Sequence, residues 1–189
     1  MVSFRKLMEG KDKDVVSLIK RDCKQYLKIF KSVEREECLF KGSDSIRKDD
    51  IIKIKSRLDN RIPRNTDKEI HDYLNKLFKD MFGWNVRNGV FVTPAHYDAE
   101  LYGDVCLFFP IGNFKYVWSP EVNDLTRFIS SRTNLTWDVT VSKIISSYTD
   151  KHFKDIFKEI NNPEVSFNCK EYYLVRYYDD DMILRIKND

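Results

Sequence analysis

Cysteine is scarce in this sequence, and its spacing does not match a metal site. Four cysteines stand singly along 189 residues, with no CxxC or CxxH spacing. Zinc sites are usually built from such closely spaced ligand pairs, so a zinc site is not expected. Unpaired thiols are typical of a reducing compartment, which favours a cytosolic protein. We expect Cys106, within the run VCLFF, to be a small buried hydrophobic residue.

Long apolar segments are also missing. The N-terminal residues MVSFRKLMEGKDKD contain no apolar core of the kind that a signal peptide has. No run approaches the roughly 18 apolar residues that a membrane-spanning helix needs. These features predict no membrane association and a cytoplasmic location, in the host cytoplasm if the chain is viral. A viral or bacterial source is compatible with the richness in Lys, Asp, Asn and Ile, which is typical of AT-rich genomes.

Neither a strong net charge nor a familiar cofactor motif is present. Lys and Arg number 33 and Asp and Glu number 30, which gives a net charge of +3 at pH 7. A balance this small does not require a nucleic-acid partner. The signatures GxGxxG, GxxxxGKS/T and GxSxG are absent, which argues against Rossmann, P-loop and serine-hydrolase sites. His71, His96 and His152 lack metal-ligand spacing, so no metal is expected.

The composition predicts a folded chain with its own core. Hydrophobic residues make up 42% of the sequence and aromatic residues 14%, which excludes a disordered chain. A chain of this length is expected to form one domain. We predict a single domain over residues 1–189, in which residues 1–35 form a helical segment packed on an α+β core of residues 36–189.

Helical periodicity recurs along the chain. One predicted helix begins after Thr66 or Asn65, with Glu69 and Thr66 in the pattern of a capping box, and it ends at Gly83. The other predicted helices cover residues 12–33, as one long helix, residues 122–131 and residues 137–160.

Short apolar segments predict strands. Gly112-Asn113 indicates a hairpin, Asp179–Asp181 indicate a turn before a last strand MILRI, and residues 43–65 form a polar, irregular segment anchored by three isoleucines. Strands that cluster and join by hairpins are typical of an α+β fold with a mixed, largely antiparallel sheet and flanking helices. The remaining predicted strands cover residues 38–42, 89–93, 104–110 and 114–118, and pieces of EVSFNCKEYYLVRYY.

Three short motifs stand out in the order CLFKG, RNGVFVTPAHYDAELYG and NNPEVSFNCKEYYLV. Their order resembles that of the ADP-ribosyltransferase superfamily. Many members of that superfamily have a first strand ending in Arg-Gly. A second strand ends in Ser or Thr before a helix with a spaced Tyr and Gly, and a late strand begins with Glu. Thr93, Tyr102-Gly103 and Glu164-Val165 match the second and third motifs.

The resemblance implies a fold and an activity. The fold would be a split β-sheet core of the ADP-ribosyltransferase type. The activity would be that of a small mono-ADP-ribosyltransferase, of the kind that phages encode. Such an enzyme uses NAD as co-substrate, needs no metal and transfers ADP-ribose to a macromolecular acceptor. A protein acceptor, such as a host factor, is expected rather than a nucleic acid.

The resemblance also implies roles for individual residues. Glu164 would accept a hydrogen bond from the ribose 2′-hydroxyl and stabilise an oxocarbenium-like transition state. Thr93 would orient the ribose or Glu164, and Tyr102 or Tyr97 would stack on the nicotinamide ring.

One motif departs from the family pattern. Lys41-Gly42 stands where the superfamily has Arg-Gly, and lysine lacks the bidentate fork with which arginine binds phosphate. Either Lys41 binds the diphosphate as a point charge, or Arg61 or Arg64 from the following loop does. Each candidate also has an ordinary structural interpretation, as a strand end, a core residue or a solvated charge. The alternative function is a non-catalytic protein-binding module, for example a viral host-interaction protein, that presents residues 12–33 and 43–65 as its docking surface.

Overall fold

The computed structural model describes most of the chain as helices and short strands. It covers residues 15–34, 37–46, 51–59, 61–63, 66–131, 136–177 and 180–188, without the side chains of residues 126 and 180–182. The strands are β1 (Phe40–Ser43), β2 (Ile51–Lys55), β3 (Val90–Val92), β4 (Asp104–Pro110), β5 (Phe114–Trp118), β6 (Val165–Cys169) and β7 (Glu171–Arg176). The α-helices are α1 (residues 15–22), α2 (Lys24–Phe30), α3 (Lys68–Phe82), α4 (His96–Glu100), α5 (Leu125–Ser130), α6 (Trp137–Ser147) and α7 (Asp180–Asn188). Val86–Asn88 and Phe153–Lys158 form 3-10 helices.

The fold is α+β, as the sequence predicts, and the strands of the described residues form two antiparallel sheets. The chain divides into two compact units, each built from separate stretches of sequence. The first unit comprises Met1–Lys55, Ala95–Asn113 and Glu171–Asp189, and the second comprises Ser56–Pro94 and Phe114–Lys170. The assignment of residues 1–189 to a single domain stays a prediction.

The first unit contains a sheet in the order β1-β4-β7-β2. The two central strands are the apolar runs of the sequence, and their side chains are buried almost throughout. The edge strand β2 is only half-buried and carries Lys53 and Lys55, which is typical of an exposed edge. Helices α1 and α2 supply further buried side chains to this unit, namely Val15, Val16, Ile19, Tyr26, Leu27 and Phe30.

The second unit contains a sheet in the order β3-β6-β5. A hydrophobic cluster joins side chains from α3, β5, α5 and α6. Leu74 and Phe78 contribute the α3 face, and Val141 and Ile144 contribute the α6 face, at the spacing of three or four residues that aligns side chains on one side of a helix. The remaining members are Trp84, Val86, Val117, Val122, Leu125, Phe128 and Tyr148.

Helix α3 ends where the sequence predicts, but its N-cap is not one of the two predicted residues. Gly83 terminates the helix with φ of 76°, a left-handed conformation that glycine adopts without steric cost. At the other end Asp67, not Thr66, is the N-cap, because its carboxylate accepts hydrogen bonds from Glu69 N and Ile70 N. Asn65, the other predicted cap, lies outside the described residues.

The long N-terminal helix is interrupted. Residues 15–22 and Lys24–Phe30 are helical, but Cys23 between them has φ of −109° and ψ of 29°. The Asp22 carbonyl accepts a hydrogen bond from Gly112 N, at 2.9 Å, instead of continuing the helical pattern. A contact with a residue distant in sequence therefore divides the predicted helix.

The hairpin predicted at Gly112-Asn113 does not form. Strand β4 pairs with β1 and β7, whereas β5 pairs with β6. The backbone N–H groups that a hairpin would use point elsewhere, since Ile111 N donates to Glu171 O and Gly112 N to Asp22 O. Gly112 does have the positive φ of a turn residue, 67°, but its turn connects strands of different sheets.

The helix predicted over residues 137–160 is also divided. Helix α6 ends at Ser147, and Tyr148 has an extended backbone. Thr149 then forms a two-way backbone bridge with Trp118, and the Trp118 indole donates to Lys151 O. Pairing with the end of β5 is incompatible with a continuous helix, which resumes only as the 3-10 helix Phe153–Lys158.

Two further segments differ from the sequence prediction. Part of the irregular segment 43–65 is the strand β2, whose isoleucines pair with Tyr172, Leu174 and Val175 of β7. The predicted last strand, MILRI, belongs to α7, because Ile183 and Ile186 are buried at helical spacing. Asp180 and Asp181 start this helix and do not form a hairpin turn, while Asp179 lies outside the described residues. Among the described helices, none combines the length and the apolar character of a membrane span.

Candidate functional site

The two predicted catalytic residues lie directly beside the ends of two neighbouring strands of the second unit. Strands β3 and β6 are antiparallel, and Val92 is the register partner of Val165. The ladder ends at this pair, so Thr93 directly follows the last residue of β3 and Glu164 directly precedes the first residue of β6. A hydroxyl and a carboxylate therefore flank the same end of this strand pair, and both residues are half-buried.

Glu164 forms a largely buried ion pair with a residue that the sequence reasoning did not select. Arg87 Nη1 lies 2.5 Å from Glu164 Oε1, and the two side chains are 9% and 17% exposed. Burial by itself lowers the pKa of Arg87, but Glu164, Tyr148 and Asp124 together outweigh this effect and the pKa is raised. Arg87 Nε is buried without a hydrogen-bond partner among the described residues. The pair thus restrains the carboxylate, while the Nε donor of the same guanidinium is not used in it.

The 3-10 helix that carries Arg87 is held in place by buried polar side chains. Arg87 N donates to Asn75 Oδ1 of α3 at 2.8 Å, and Asn88 Nδ2 donates to Leu58 O at 2.8 Å. His71 Nε2 lies 2.9 Å from Asn88 Oδ1, and burial lowers the pKa of this imidazole. Because each of these groups is buried and bonded, the position of Arg87 is set by the fold around it.

The same segment packs tightly against β6. Ser166 Oγ donates to Val86 O at 2.7 Å. A Cβ added at Gly89 would lie 2.2 Å from Ser166 Oγ, so only glycine allows the backbone to approach this closely. Phe91 is the register partner of Ser166 and lies on the same face of the sheet as Thr93 and Glu164.

Two arginines flank this face. The guanidinium groups of Arg61 and Arg87 each lie 4.4 Å from the centroid of the Phe91 ring, within the range of a cation–π interaction. Arg61 Nη1 also donates a hydrogen bond to Gly89 O. Arg61, one of the alternative phosphate-binding residues, therefore lies in the same unit as Thr93 and Glu164, with its side chain over their face of the sheet. Arg64, the other, lies outside the described residues.

Tyr148 adds a buried hydroxyl to the surroundings of Glu164. Burial raises the pKa of this phenol strongly, and the Glu164 carboxylate raises it further. Both Asp124 and Glu164 act on the pKa values of Tyr148 and Arg87 in the same direction. The site is therefore a cluster of acidic, basic and phenolic groups in one buried region of the second unit.

The other predicted cofactor-binding residues belong to the first unit. A Cβ added at Gly42 would lie 2.0 Å from Ala99 O and 2.8 Å from Tyr102 Cβ, so the glycine lets α4 and the following turn pack on β1. Lys41 pairs with Cys106 in the register of β1 and β4. Tyr97 and Tyr102 are 55% and 54% exposed. The structure thus brings Gly42 and Tyr102 together within this unit.

Nearby, His96 is exposed and contacts only aromatic rings in its described interactions, those of Phe40, Tyr97 and Tyr177. Cys106 is fully buried, as the sequence predicts, and burial raises its pKa to about 11. No group of three or more His, Cys, Asp or Glu side chains suited to a metal ion occurs among the described residues.

Comparisons with known proteins add no further information about this site. No protein-family model, no curated protein and no solved structure matches the chain.

Proposed function

We propose that this chain is a mono-ADP-ribosyltransferase that transfers ADP-ribose from NAD to a macromolecular acceptor. The observation that carries the proposal is that Thr93 directly follows β3 and Glu164 directly precedes β6, at the same end of two paired strands. A carboxylate near the ribose can stabilise the positive charge that develops in this chemistry, and a hydroxyl can orient the sugar or the carboxylate. The order of the three sequence motifs supports the same function. A protein acceptor and a cytoplasmic location are parts of the proposal.

The chemistry assigns a role to each residue. The bond between ribose C1′ and the nicotinamide nitrogen breaks, and nicotinamide leaves as a neutral molecule with the electron pair. The sugar passes through an oxocarbenium-like state until a nucleophile of the acceptor bonds to C1′ and releases its proton. Glu164 accepts a hydrogen bond from the 2′-hydroxyl and stabilises the positive charge. Thr93 orients the ribose or the carboxylate, and a cation binds the diphosphate.

The identity of that cation is part of the proposal and is open to test. Arg61 shares a unit with Thr93 and Glu164, whereas Lys41 stands at the position of the family motif. We expect the substitution that removes the diphosphate contact to raise KM for NAD while leaving kcat near its natural value. Lys41→Ala and Arg61→Ala, assayed side by side, identify the residue. Gly42, Tyr97 and Tyr102 remain proposed NAD-binding residues, and Tyr97→Ala and Tyr102→Ala test the stacking role.

NAD turnover is the experiment that tests the function. The natural protein is incubated with NAD labelled in the adenylate moiety and with a cell lysate, and both labelled macromolecules and free nicotinamide are measured. We expect turnover that Glu164→Gln lowers by at least about a hundredfold, the size of loss typical when one transition-state contact is removed. Thr93→Ser should retain more activity than Thr93→Val, because serine keeps the hydroxyl.

The matched control is Glu121→Gln, which makes the same chemical change at an exposed carboxylate of the same unit. It should leave turnover unchanged. Because Glu164→Gln also alters a buried ion pair, each variant is first checked for a cooperative thermal transition. The transferase proposal fails if the folded natural protein neither releases nicotinamide nor gains thermal stability with NAD.

A second candidate function, a non-catalytic protein-binding module, is favoured by one specific observation. Tyr97, Leu101 and Tyr102 in and just after α4 are 55%, 71% and 54% exposed, and exposed apolar side chains that cluster often mark a contact surface. This candidate predicts that a protein retained from a lysate is lost with Leu101→Ser, in a chain that does not turn over NAD. Retention that survives Leu101→Ser would contradict it.

A further inference from the structure

The ion pair between Arg87 and Glu164 has a consequence for the reaction that no sequence motif suggested. We propose that Arg87 is a positioning residue of the transferase, which holds the Glu164 carboxylate in its catalytic orientation. The inference rests on the proposed function, because it concerns how that function's carboxylate is oriented. Arg87 acts through Glu164 and is not assigned a contact with NAD.

The geometry of Glu164 shows why it needs a positioning partner. Its backbone is fixed, since Glu164 N donates to Val122 O at 3.3 Å and Val165 follows as the first residue of β6. Its side chain, however, has three rotatable bonds, and the 2.5 Å hydrogen bond from Arg87 restricts them. A carboxylate offers about four acceptor positions, so this contact leaves capacity for the ribose hydroxyl.

Arg87 is itself rigidly placed, which a positioning residue requires. Its backbone is bonded to Asn75, its guanidinium lies over the Phe91 ring, and its side chain is nine-tenths buried. Catalytic groups are most effective when neighbouring residues hold them in a productive geometry before substrate binds. Displacing a catalytic group by about 1 Å can lower a rate by about a hundredfold.

The alternative is that the ion pair stabilises the fold and has no part in the reaction. The two possibilities differ in kinetics. A positioning residue affects kcat through Glu164, so its loss should lower kcat with little change in KM for NAD. A structural residue affects the amount of folded protein, so kcat per folded molecule should not change.

The test compares NAD turnover by the natural protein, Arg87→Gln, Arg87→Lys, Glu164→Gln and the double variant Arg87→Gln/Glu164→Gln. Nicotinamide release is measured well below the melting temperature of the least stable variant. We expect Arg87→Gln to lower kcat by about tenfold to a hundredfold with KM changed by less than about twofold. Arg87→Lys keeps the charge but not the planar fork, so its kcat should lie between those of the natural protein and Arg87→Gln. In the Glu164→Gln background, Arg87→Gln should cause almost no further loss, because the two residues act as a unit.

The matched control is Arg127→Gln, at an exposed arginine of the same unit, which should not change kcat. If Arg87→Gln and Arg87→Lys fold and keep the natural kcat, the inference is overturned. A loss of turnover in Glu164→Gln would in that case still support the proposed function. A rise in KM at unchanged kcat would also overturn it, since Arg87 would then bind NAD. If Arg87→Gln does not fold, Arg87→Lys decides between the same outcomes. A natural protein without NAD turnover would remove the proposed function and this inference together.

Discussion

At the scale of single residues, the pairing of Arg87 with Glu164 also has a consequence for stability. A buried charge that loses its partner destabilises a protein by about 3–5 kcal/mol, whereas replacing both charges by apolar residues is often neutral. We therefore expect Arg87→Met to lower the free energy of unfolding by about 3–5 kcal/mol, and Arg87→Met/Glu164→Leu to recover most of the loss. Urea denaturation of the three proteins measures both effects.

The ion pair between Lys68 and Asp72 in the same unit serves as a comparison for the buried pair, because its side chains are 79% and 56% exposed. Exposed pairs contribute only about 0–1 kcal/mol, so Lys68→Met should have a small effect. An Arg87→Met variant as stable as Lys68→Met would show that the charge of Glu164 is solvated in the folded protein, contrary to the burial seen here.

A second residue-scale prediction concerns Asp22 in the first unit. Arg21 donates two hydrogen bonds of 2.8 Å to its carboxylate and Tyr173 Oη donates a third at 2.7 Å, and these lower its pKa to about 2. The folded value lies below the unfolded value of about 3.9, so Asp22 stabilises the fold above about pH 4. This contribution is lost as the pH falls towards 2. The difference in melting temperature between the natural protein and Asp22→Asn should shrink over that window.

Tyr173→Phe is the control for this titration, because it removes one donor and leaves Arg21 in place. The folded pKa should then rise towards the unfolded value, and the stabilisation by Asp22 should become smaller. A melting-temperature difference that stays constant from pH 5 to pH 2 would contradict the assignment.

At the scale of secondary-structure elements, the N-cap of α3 gives a direct test. Asp67 Oδ1 accepts hydrogen bonds from Glu69 N at 2.8 Å and Ile70 N at 3.4 Å. Removing an N-cap acceptor costs about 0.5–2 kcal/mol. We expect Asp67→Ala to lower the free energy of unfolding by about that amount, measured by urea denaturation. Asp67→Asn, which retains the acceptor, should be nearly neutral, and an equal loss in both variants would assign the effect to charge.

The helices and strands that the sequence predicts correctly are those determined by residues close together in the chain. Strands β3, β4 and β5 and the end of α3 at Gly83 could be predicted, because apolar runs and a glycine C-cap act over a few residues. The breaks at Cys23 and Tyr148 could not. They depend on hydrogen bonds to Gly112 and Trp118, and no pattern within a helix indicates a partner so far along the chain.

The candidate site likewise contains residues that the sequence predicts and one that it does not. Thr93 and Glu164 could be selected from motifs at the ends of predicted strands, and the pairing of β3 with β6 brings those strand ends to the same edge. Arg87 was not selected, although it directly precedes the Asn-Gly pair before β3. An arginine beside a strand is usually solvated, and only the folded structure reveals that its carboxylate partner lies 77 positions away.

At the scale of the whole molecule, the order of the chain couples the two compact units. The two stretches of the second unit are connected through Ala95–Asn113, which belongs to the first unit. In the same way, the three stretches of the first unit are connected through the two stretches of the second. If either unit unfolds, the other must close a flexible loop in place of a folded connection, at an entropic cost. Connectivity of this kind favours unfolding of the whole chain in one transition.

Matched substitutions in the two units test this cooperativity. Leu174 in β7 and Leu74 in α3 are both fully buried, and each Leu→Ala change should cost about 2–5 kcal/mol. In a single domain, the slowest-exchanging amides of both units report global unfolding and should lose protection equally with either substitution. Hydrogen exchange of β4 and β6 amides measures this. If Leu174→Ala lowers protection only in β4, and Leu74→Ala only in β6, the units unfold separately and the chain consists of two domains.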